Sequence, residues 1–447
     1  MAGLRHDQHG QERQQQYQNC FHSQGRCFFR EPPDHRADIN RIIMQTVTHR
    51  QLFFQHVAQT SDFPLALEID RAEGVYIYST VGPDGQSKRY TDLISGIGVS
   101  NVGHRHPHVL EAIHRQLDKY LHLMVYGEYV QTSQTQLAQA LADTLPAGLD
   151  NVYFTNSGTE AVEGAMKLAK RYTGRTEIIS CINSYHGATQ GALSLSGDEN
   201  FKRNYRPLLP GIRHIHFNNW LDIERISCRT AAVVMEVVAA EAGIRVPDAG
   251  YLQAVRQRCT DVGTLLIFDE IQTGFGRTGT FWAFEDADGF GTAVVPDVLL
   301  CAKGMGGGMP IGAFISSAEV MSVFKNNPIL GHITTFGGHP VSCAASLATL
   351  QVIREGKLHE QAEAKGQLIR QLLVHPAIKQ IRGKGLMLAV EFESFAVLKP
   401  IIDRAIAGGV ITDWFLFCDN SMRIAPPLII TDDQIREACA VILDSIG

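Results

Sequence analysis

The stretch LLIFDEIQTGFGRTG, residues 265–279, starts with apolar residues only and then changes to polar residues and glycines. A short apolar run of this kind predicts a strand that is buried on both faces of a sheet. Asp269 comes at the end of the run, and a buried carboxylate there needs a cationic or protonated partner. That partner can be a structural salt bridge or a bound group with a protonated nitrogen, and both alternatives are open at this point.

The stretch VVPDVLLCAKGMGGGMPIGA, residues 294–313, contains a second apolar run, which ends at Lys303. Lysine is seldom buried, and burial lowers its pKa, which makes the amine a usable nucleophile. The glycines among residues 304–308 let the backbone turn tightly around a ligand. The alternative is a surface lysine beside a flexible loop, but the apolar run before Lys303 favours burial.

Apolar runs and helical patterns alternate through the middle of the chain. The runs lie at 151–155, 177–182, 231–238, 264–270 and 298–303. This alternation predicts an α/β domain with a mainly parallel central sheet and helices on both faces. In such sheets ligands bind beyond the carboxyl ends of the strands, where Asp269 and Lys303 would both lie.

The C-terminal part of the chain has a different pattern. Beyond residue 343 we expect one long helix over roughly 344–374, a strand in GLMLAVEF (385–392) and a terminal helix. Thr431 and Gln434 have the spacing of a capping box, so the terminal helix is expected to begin at Thr431. We expect a smaller α+β domain here.

Residues 1–43 are rich in Gln, His and Arg and show neither helical nor strand periodicity. They lack the apolar core of a signal peptide, and Asp7, Glu12 and Glu31 argue against a transit peptide. We expect a mobile, disordered tail without catalytic residues, with Met44 as an alternative start of translation.

The composition limits the classes of function. The 447 residues are 45% hydrophobic, which is enough for two or three domains, and the formal net charge is −6. Lys and Arg do not cluster beside aromatic residues, so we expect no nucleic-acid partner. The nine cysteines form no C-x-x-C pair and the histidines lack metal-ligand spacing, which predicts a cytoplasmic protein without a metal site. No apolar stretch reaches the ~18–20 residues of a membrane span.

Ser157, Gly158 and Thr159 lie between a predicted strand and a predicted helix. The first N–H groups of a helix are unpaired and carry the positive end of its dipole, so this position favours a bound phosphate. An ordinary helix cap has the same composition, and this alternative is equally open on these residues alone.

Five motifs follow one another in an order that is far more specific than any one of them. They are NSGTEA (156–161), SYHGAT (184–189), DEIQTGFGRTG (269–279), AKGMGGGMPIGA (302–313) and TTFGGHP (334–340). Together they resemble the class III aminotransferases, pyridoxal-phosphate-dependent transferases of fold type I. This family includes ornithine, acetylornithine, 4-aminobutyrate and ω-amino acid aminotransferases. The resemblance covers roughly residues 66–430, and GIGVSNVGHRHP (96–107) and MRIAPPL (422–428) also fit it.

The resemblance implies pyridoxal 5'-phosphate as cofactor, and it implies limits for the domains. An N-terminal segment, 44–95, would join the small domain; 96–342 would be the large cofactor-binding domain, and 343–447 the C-terminal small domain.

The resemblance also implies roles for individual residues. Lys303 would form the Schiff base and then move the proton between the substrate and the cofactor. Asp269 would keep the pyridine nitrogen protonated, which makes the ring an effective electron sink. Gln272 would reach the phenolic oxygen, and Tyr185 and Ile271 would pack on the two faces of the ring.

The other expected cofactor-binding residues are Ser157, Gly158, Thr159, His186, Glu236, Thr334 and Thr335. In the family, the threonine that matches Thr335 binds the phosphate of the neighbouring subunit's cofactor. We therefore expect a homodimer with shared active sites.

Two residues are expected to bind substrate. Arg423 matches the family arginine that grips the substrate α-carboxylate, a task that suits a guanidinium group. Glu241 matches the glutamate that pairs with this arginine while the amino donor binds. Ala188 stands where many relatives have a second arginine, which favours a monocarboxylate acceptor and makes acetylornithine and 4-aminobutyrate poor donors.

The expected activity is a transamination by a ping-pong cycle between pyridoxal and pyridoxamine phosphate. An amino acid or ω-amine would be the donor and a 2-oxo acid the acceptor, with pyruvate and 2-oxoglutarate both open. An aminomutase or a racemase on the same framework is the alternative enzyme. A non-enzymatic ligand-binding protein is the alternative from another class, and the retained Lys303, Asp269 and Gln272 argue against it.

Overall fold

The computed structural model describes residues 48–81, 85–291 and 293–447. The tail expected at residues 1–43 lies outside these ranges. The chain divides into two compact units, residues 1–68 and 69–447. In the described part of the first unit, helix α1 (His49–His56) begins with a capping box, because Thr48 and Gln51 each accept the other's backbone N–H.

In the part of the chain that the structure describes, the second unit contains three sheets. Their strands are β1 Ile69–Glu73, β2 Tyr76–Ser79, β3 Arg89–Asp92, β4 Asn151–Thr155, β5 Glu177–Cys181, β6 Ile212–Ile215, β7 Thr230–Glu236, β8 Leu265–Asp269, β9 Val298–Cys301, β10 Gly312–Ser316, β11 Gln380–Lys384, β12 Met387–Glu391, β13 Val410–Ile411, β14 Asp413–Phe415 and β15 Cys418–Ile424.

The helices of the second unit show the expected alternation with the strands. They are α2 Ser95–Gly98, α3 Pro107–Leu117, α4 Thr132–Ala142, α5 Gly158–Thr173, α6 Gln190–Leu195, α7 Glu199–Lys202, α8 Tyr251–Val262, α9 Ala287–Phe290, α10 Ala318–Met321, α11 Pro340–Glu355, α12 Leu358–Leu372, α13 Phe395–Gly408 and α14 Asp432–Ile446.

The central sheet has the strand order β4-β10-β9-β8-β7-β5-β6. Strands β6, β5, β7, β8 and β9 pair in parallel, whereas β10 runs antiparallel to both of its neighbours, β9 and β4. Every residue of β7, β8 and β9 is buried, as expected for parallel strands covered on both faces. The predicted α/β fold with a mainly parallel sheet is therefore confirmed.

Alternate residues of the central strands point into two different apolar cores. On one face, Ala232 and Val234 of β7 belong to the same core as Val162 of helix α5. On the other face, Val233 and Met235 belong to the same core as helix α8. Since side chains alternate along a strand, a fully apolar strand needs a covering layer on each side. Helices therefore cover both faces of the sheet.

Strands β6 and β10 were not predicted from the sequence. Strand β6 is short, lies at the edge of the sheet and alternates in exposure, so it has no continuous apolar run. Strand β10 follows the glycine-rich segment directly, and the glycines hid its beginning.

Helix α5 shows why the local predictions succeeded. Ser157 caps its N-terminus, and Gly174 ends it in the left-handed conformation at φ 69°. Glycine adopts this conformation without the steric cost that other residues have. Helix α14 likewise begins with the predicted capping box between Thr431 and Gln434.

The prediction of one long helix over 344–374 is wrong. Helix α11 ends at Glu355 and helix α12 begins at Leu358. Lys357 between them has a left-handed backbone, with φ 48° and ψ 38°, which interrupts the helical hydrogen bonds. The apolar pattern continued across this break and concealed it.

The second unit also contains two smaller sheets, and one of them joins residues from both ends of the unit. One has the order β1-β2-β3-β13 and the other β11-β12-β15-β14. Strand β13 pairs in parallel with β3, so strands that are far apart in sequence complete one sheet. The domain limits proposed at 95/96 and 342/343 stay predictions. Among the described residues, no helix combines the length and the apolar character needed to cross a membrane.

Candidate active site

A cavity of about 530 Å³ lies at the carboxyl ends of the central strands. Most of the residues singled out from the sequence line it together. They are Ser157, Gly158, Thr159, Tyr185, His186, Glu236, Asp269, Ile271, Gln272 and Lys303. The parallel strands bring these residues together because they all end at one edge of the sheet.

The start of helix α5 forms one wall of the cavity. Ser157 Oγ accepts the backbone N–H of Glu160 at 3.3 Å, so this serine is a helix cap. It also lines the cavity with Gly158 and Thr159, so the cap and the phosphate site are compatible. A Cβ on Gly158 would lie 2.8 Å from Ile271 Cδ1, so a larger residue would fit here only if the Ile271 side chain moved.

The hydroxyl group of Thr159 belongs to a small network at the same wall. Thr159 Oγ1 and Thr189 Oγ1 lie 2.7 Å apart, and Thr189 Oγ1 donates to Glu163 Oε1 at 2.6 Å. The same Glu163 oxygen accepts the N–H of Gly191 at 2.8 Å. Helix α6 is thereby tied to helix α5 beside the cavity.

Asp269 ends strand β8 and is almost completely buried. Its Oδ1 accepts the N–H of Ile271 at 3.0 Å, and its Oδ2 accepts a hydrogen bond from His186 Nδ1 at 2.7 Å. The partner of this carboxylate is thus a histidine, and no lysine or arginine of the described chain pairs with it. Burial lowers the pKa of His186, but the hydrogen bond and charge of Asp269 outweigh it and raise that pKa.

Glu236 ends strand β7 directly beside Asp269, its partner in the parallel register. Its Oε1 accepts the N–H of Ala240 at 3.0 Å, whereas its Oε2 is buried without a hydrogen bond. Burial raises the pKa of Glu236 to about 7, against the opposing charge of His186. His186 Nε2 is also buried without a hydrogen bond, so two polar atoms at this cavity lack partners.

Lys303 follows strand β9 and lines the cavity. Burial lowers the pKa of its amino group, as expected for an amine nucleophile. Its backbone has φ 46°, in the left-handed region that non-glycine residues seldom adopt. Such outliers are common at functional sites, because the surrounding structure has to impose them.

Arg423 and Glu241 form a buried ion pair next to the cavity. Arg423 Nη1 and Nη2 donate to Glu241 Oε1 and Oε2 at 2.9 and 3.0 Å, which is a bidentate arrangement. Burial raises the pKa of Glu241, but Arg423 outweighs it and holds that pKa below its usual value. Gln272 Nε2 donates to Glu241 Oε1 at 3.3 Å and so links the pair to the cavity wall.

Thr334 and Thr335 do not reach this cavity within one chain. Thr334 lines a separate groove, where its Oγ1 accepts the N–H of Gly337 at 3.0 Å. Thr335 is exposed.

Several residues of the site were missed from the sequence. Val99, Met309 and Pro310 line the cavity, and all three lie within motifs that had been recognised without being assigned a role. Asp413 accepts a hydrogen bond from Arg423 Nε at 2.9 Å. The pairing of strands β14 and β15 places Asp413 next to Arg423, and no pattern in the sequence predicts that pairing.

Known proteins resemble this chain in sequence and in fold. The family model described as aminotransferase class-III matches residues 57–446. An acetylornithine aminotransferase from Methanopyrus kandleri is 37% identical over 394 residues, which are 88% of this chain and 96% of that protein.

Two solved structures resemble the whole fold. The ornithine aminotransferase from Toxoplasma gondii has a TM-score of 0.81 at 30% identity, covering 93% of this chain and 98% of that one. An amine transaminase from an uncultivated Pseudomonas species, solved with its pyridoxal phosphate bound, has a TM-score of 0.77 at 28% identity, covering 88% and 97%.

The raised pKa of Glu236 predicts a pH-dependent cost in stability. A carboxyl whose pKa is about 7 in the folded chain and about 4.5 in the unfolded chain favours folding only while it is protonated. That contribution is lost as the pH rises from about 4.5 through 7. Glutamine does not titrate, so the Glu236→Gln variant keeps its stability over this range. The free energy of unfolding of the variant minus that of wild type should therefore be about 2 kcal/mol larger at pH 8 than at pH 5.

Urea unfolding at both pH values measures this gain, and Glu355→Gln, at an exposed glutamate, is the control. An equal difference between Glu236→Gln and wild type at the two pH values would contradict the assignment.

Proposed function

The chain belongs to the class-III aminotransferase family, and we propose that the cavity at the carboxyl ends of its central sheet is the site of amino-group transfer. The observation that carries the proposal is that Lys303 and Asp269 line the same cavity. Asp269 ends strand β8, Lys303 follows the adjacent strand β9, and both line one cavity together with residues at the N-terminus of helix α5. An amine nucleophile, a buried carboxylate and a phosphate-binding wall together suit pyridoxal phosphate.

The residues present fit that cofactor. Residues 157–159 would bind the phosphate, Asp269 the pyridine nitrogen and Gln272 the phenolic oxygen, with Tyr185 and Ile271 on the ring faces. The unpaired Oε2 of Glu236 and Nε2 of His186 support the fit, since buried polar atoms without partners indicate a polar ligand. Bound pyridoxal phosphate supplies an electron sink for the charge that develops at the substrate carbon.

Lys303 has two tasks in this proposal. Its burial-lowered pKa leaves more of the amine in the neutral form, which can bond to the cofactor. When it is not bonded to the cofactor, Lys303 Nζ would be the group that moves the proton at the substrate carbon. A lysine at the end of a strand, with a constrained backbone, is well positioned for both tasks.

Asp269 would hold the proton on the pyridine nitrogen of the bound cofactor. A carboxylate next to a ring nitrogen favours the protonated ring, which is the form that withdraws electrons. His186 donates to the other side of the same carboxylate and keeps it oriented. A neutral residue in place of Asp269 would lose this effect.

The Arg423–Glu241 pair supports a switch between two kinds of substrate. When the acceptor binds, the two Nη atoms of Arg423 bind the α-carboxylate of the 2-oxo acid. When the amino donor binds, Glu241 occupies those same two atoms, as it does in this structure. The donor is therefore an amino acid or an ω-amine whose reacting end does not need Arg423.

We also propose an acceptor with one carboxylate, because the described residues that line the cavity include no arginine for a second carboxylate. Ala188 lines the cavity in place of an arginine. Among the described residues that line it, Lys303 is the one lysine or arginine, and the cofactor would use it.

The proposed active unit is a homodimer with shared sites. Thr335 is exposed, and the adjacent groove contains the exposed apolar residues Ile329, Leu330 and Ile333. Exposed apolar residues grouped in this way are typical of a subunit interface.

A reducing compartment, the cytoplasm, is proposed because each cysteine that the structure describes is a free thiol.

The first test is Lys303→Ala, which should abolish amino transfer, because the covalent attachment and the proton carrier are both lost. The rate should fall by many orders of magnitude. The spectrum of the bound cofactor is followed after adding alanine, ornithine, N-acetylornithine, 4-aminobutyrate or 1-propylamine. Lys119→Ala, at an exposed lysine away from the cavity, is the control. Turnover of Lys303→Ala within tenfold of wild type would refute the proposed site.

The second test mixes Lys303→Ala chains with Thr335→Ala chains. If Thr335 acts in the neighbouring site, each heterodimer has one site with both lesions and one intact site. Activity per heterodimer should then approach half of wild type. If Thr335 acts within its own chain, the mixture can do no better than the mean of the two variants, once subunit exchange has been verified.

The third test is Ala188→Arg, which should raise kcat/KM for 2-oxoglutarate relative to pyruvate. A new arginine–carboxylate hydrogen bond is worth roughly tenfold in affinity. Ala188→Gln, which is long but uncharged, is the matched control. A wild-type enzyme that already prefers 2-oxoglutarate strongly would overturn the monocarboxylate assignment.

A further inference from the structure

We propose that Asp413 is a positioning residue that keeps Arg423 in place when Glu241 releases it, so that a carboxylate site is already formed for the acceptor. The inference rests on the proposed function, in which Arg423 binds the α-carboxylate of the 2-oxo acid. Asp413 touches neither substrate nor cofactor and acts through Arg423.

All three nitrogens of the Arg423 guanidinium have partners. Nη1 and Nη2 donate to the two carboxylate oxygens of Glu241. Nε donates to Asp413 Oδ1 at 2.9 Å, and Nη2 also donates to the backbone oxygen of Trp414 at 3.2 Å. The guanidinium also lies 4.5 Å from the centre of the Phe415 ring. Glu241 thus covers one edge of the group, while residues 413–415 hold it from another direction.

The two carboxylates differ in how easily they can leave. Asp413 lies directly opposite Arg423 in the pairing of β14 with β15, so the strand pairing keeps the two residues side by side when Glu241 moves. Glu241 lies in a turn outside the central strands, and its carboxylate is held by side-chain bonds and by the N–H of Leu416 at 3.1 Å. Rotation of the Glu241 side chain breaks these bonds without unpairing a strand.

The edge that Glu241 covers has the shape of a substrate site. A bidentate carboxylate on Nη1 and Nη2 is the arrangement that an α-carboxylate would adopt. Glu241 and the acceptor therefore compete for the same two nitrogens. The charge of Asp413 changes the binding of Glu241 and of the acceptor carboxylate to Arg423 by the same amount. Asp413 therefore affects the replacement of Glu241 by the acceptor through the orientation of Arg423.

Asp413 also prevents a buried cation from being left without a counter-ion. Arg423 is only 3% exposed. Burial lowers the pKa of Arg423, and the charges of Asp413 and Glu241 together outweigh it and raise that pKa. With Asp413 in place, departure of Glu241 leaves a paired arginine, and an unpaired one would be strongly disfavoured.

The test measures binding of propanoate to the cofactor-loaded enzyme by isothermal titration calorimetry. Propanoate has a carboxylate but no carbonyl that can react, so this readout does not depend on turnover. Arg423→Ala identifies the part of the binding that belongs to Arg423. Asp413→Ala should weaken that part about tenfold, whereas Asp413→Asn, which can still accept the Nε–H, should stay within about threefold of wild type.

Glu241→Ala gives an independent result that does not depend on how Asp413→Ala folds. If Asp413 holds Arg423 in place, removing the competitor should tighten propanoate binding about tenfold. Unchanged or weaker binding would mean that Arg423 does not keep its position, and this would overturn the proposal.

Kinetics with the pyridoxamine phosphate enzyme separate positioning from general damage. Asp413→Ala should raise KM for pyruvate with little change in kcat, and it should leave the reaction with butanal, which has no carboxylate, unchanged. An equal loss with butanal, or propanoate binding equal to wild type, would overturn the role of Asp413. If wild type transfers no amino group at all, the proposed function fails, while the propanoate titrations still decide the role of Asp413.

Discussion

The carboxyl edge of the parallel sheet is the constraint on which the rest of the structure depends. Strands β7 and β8 are buried along their whole length and end in Glu236 and Asp269, and the buried strand β9 leads two residues later to Lys303. Because the strands run in parallel, these charged groups emerge at one edge and meet in one cavity. The same apolar strands that build the core therefore bring Glu236, Asp269 and Lys303 to one cavity.

Burying several charged groups at one edge of the sheet is unfavourable unless they are paired, and most of them form ion pairs. His186 and Asp269 stabilise each other, and Arg423 is paired with Glu241 and Asp413. Lys303 and Glu236 have no such close partner. Burial lowers the pKa of Lys303 and raises that of Glu236, and both changes favour the neutral form of the group. Groups whose pKa values are displaced in this way are suited to bond formation and proton transfer near neutral pH.

The fold could be predicted where a signal is local. Apolar runs showed the buried strands, Gly174 showed the end of a helix, and Thr431 with Gln434 showed the start of another. Prediction failed where the local signal is weak or is overridden. The break at Lys357 depends on one residue's backbone conformation within a continuous apolar pattern, and strand β6 is stabilised by its neighbour in the sheet.

The sequence by itself determined the chemistry of the site. An amine and a carboxylate at the ends of apolar strands, and a serine–glycine pair before a helix, follow from residue type and spacing, and the order of the motifs identified the family. Only the tertiary structure decided which groups contact one another. The bonds from His186 to Asp269, and from Asp413 to Arg423, join different segments of the chain. The physical reason is that a hydrogen bond depends on distance and direction in space, and neither is encoded in the local pattern of a sequence.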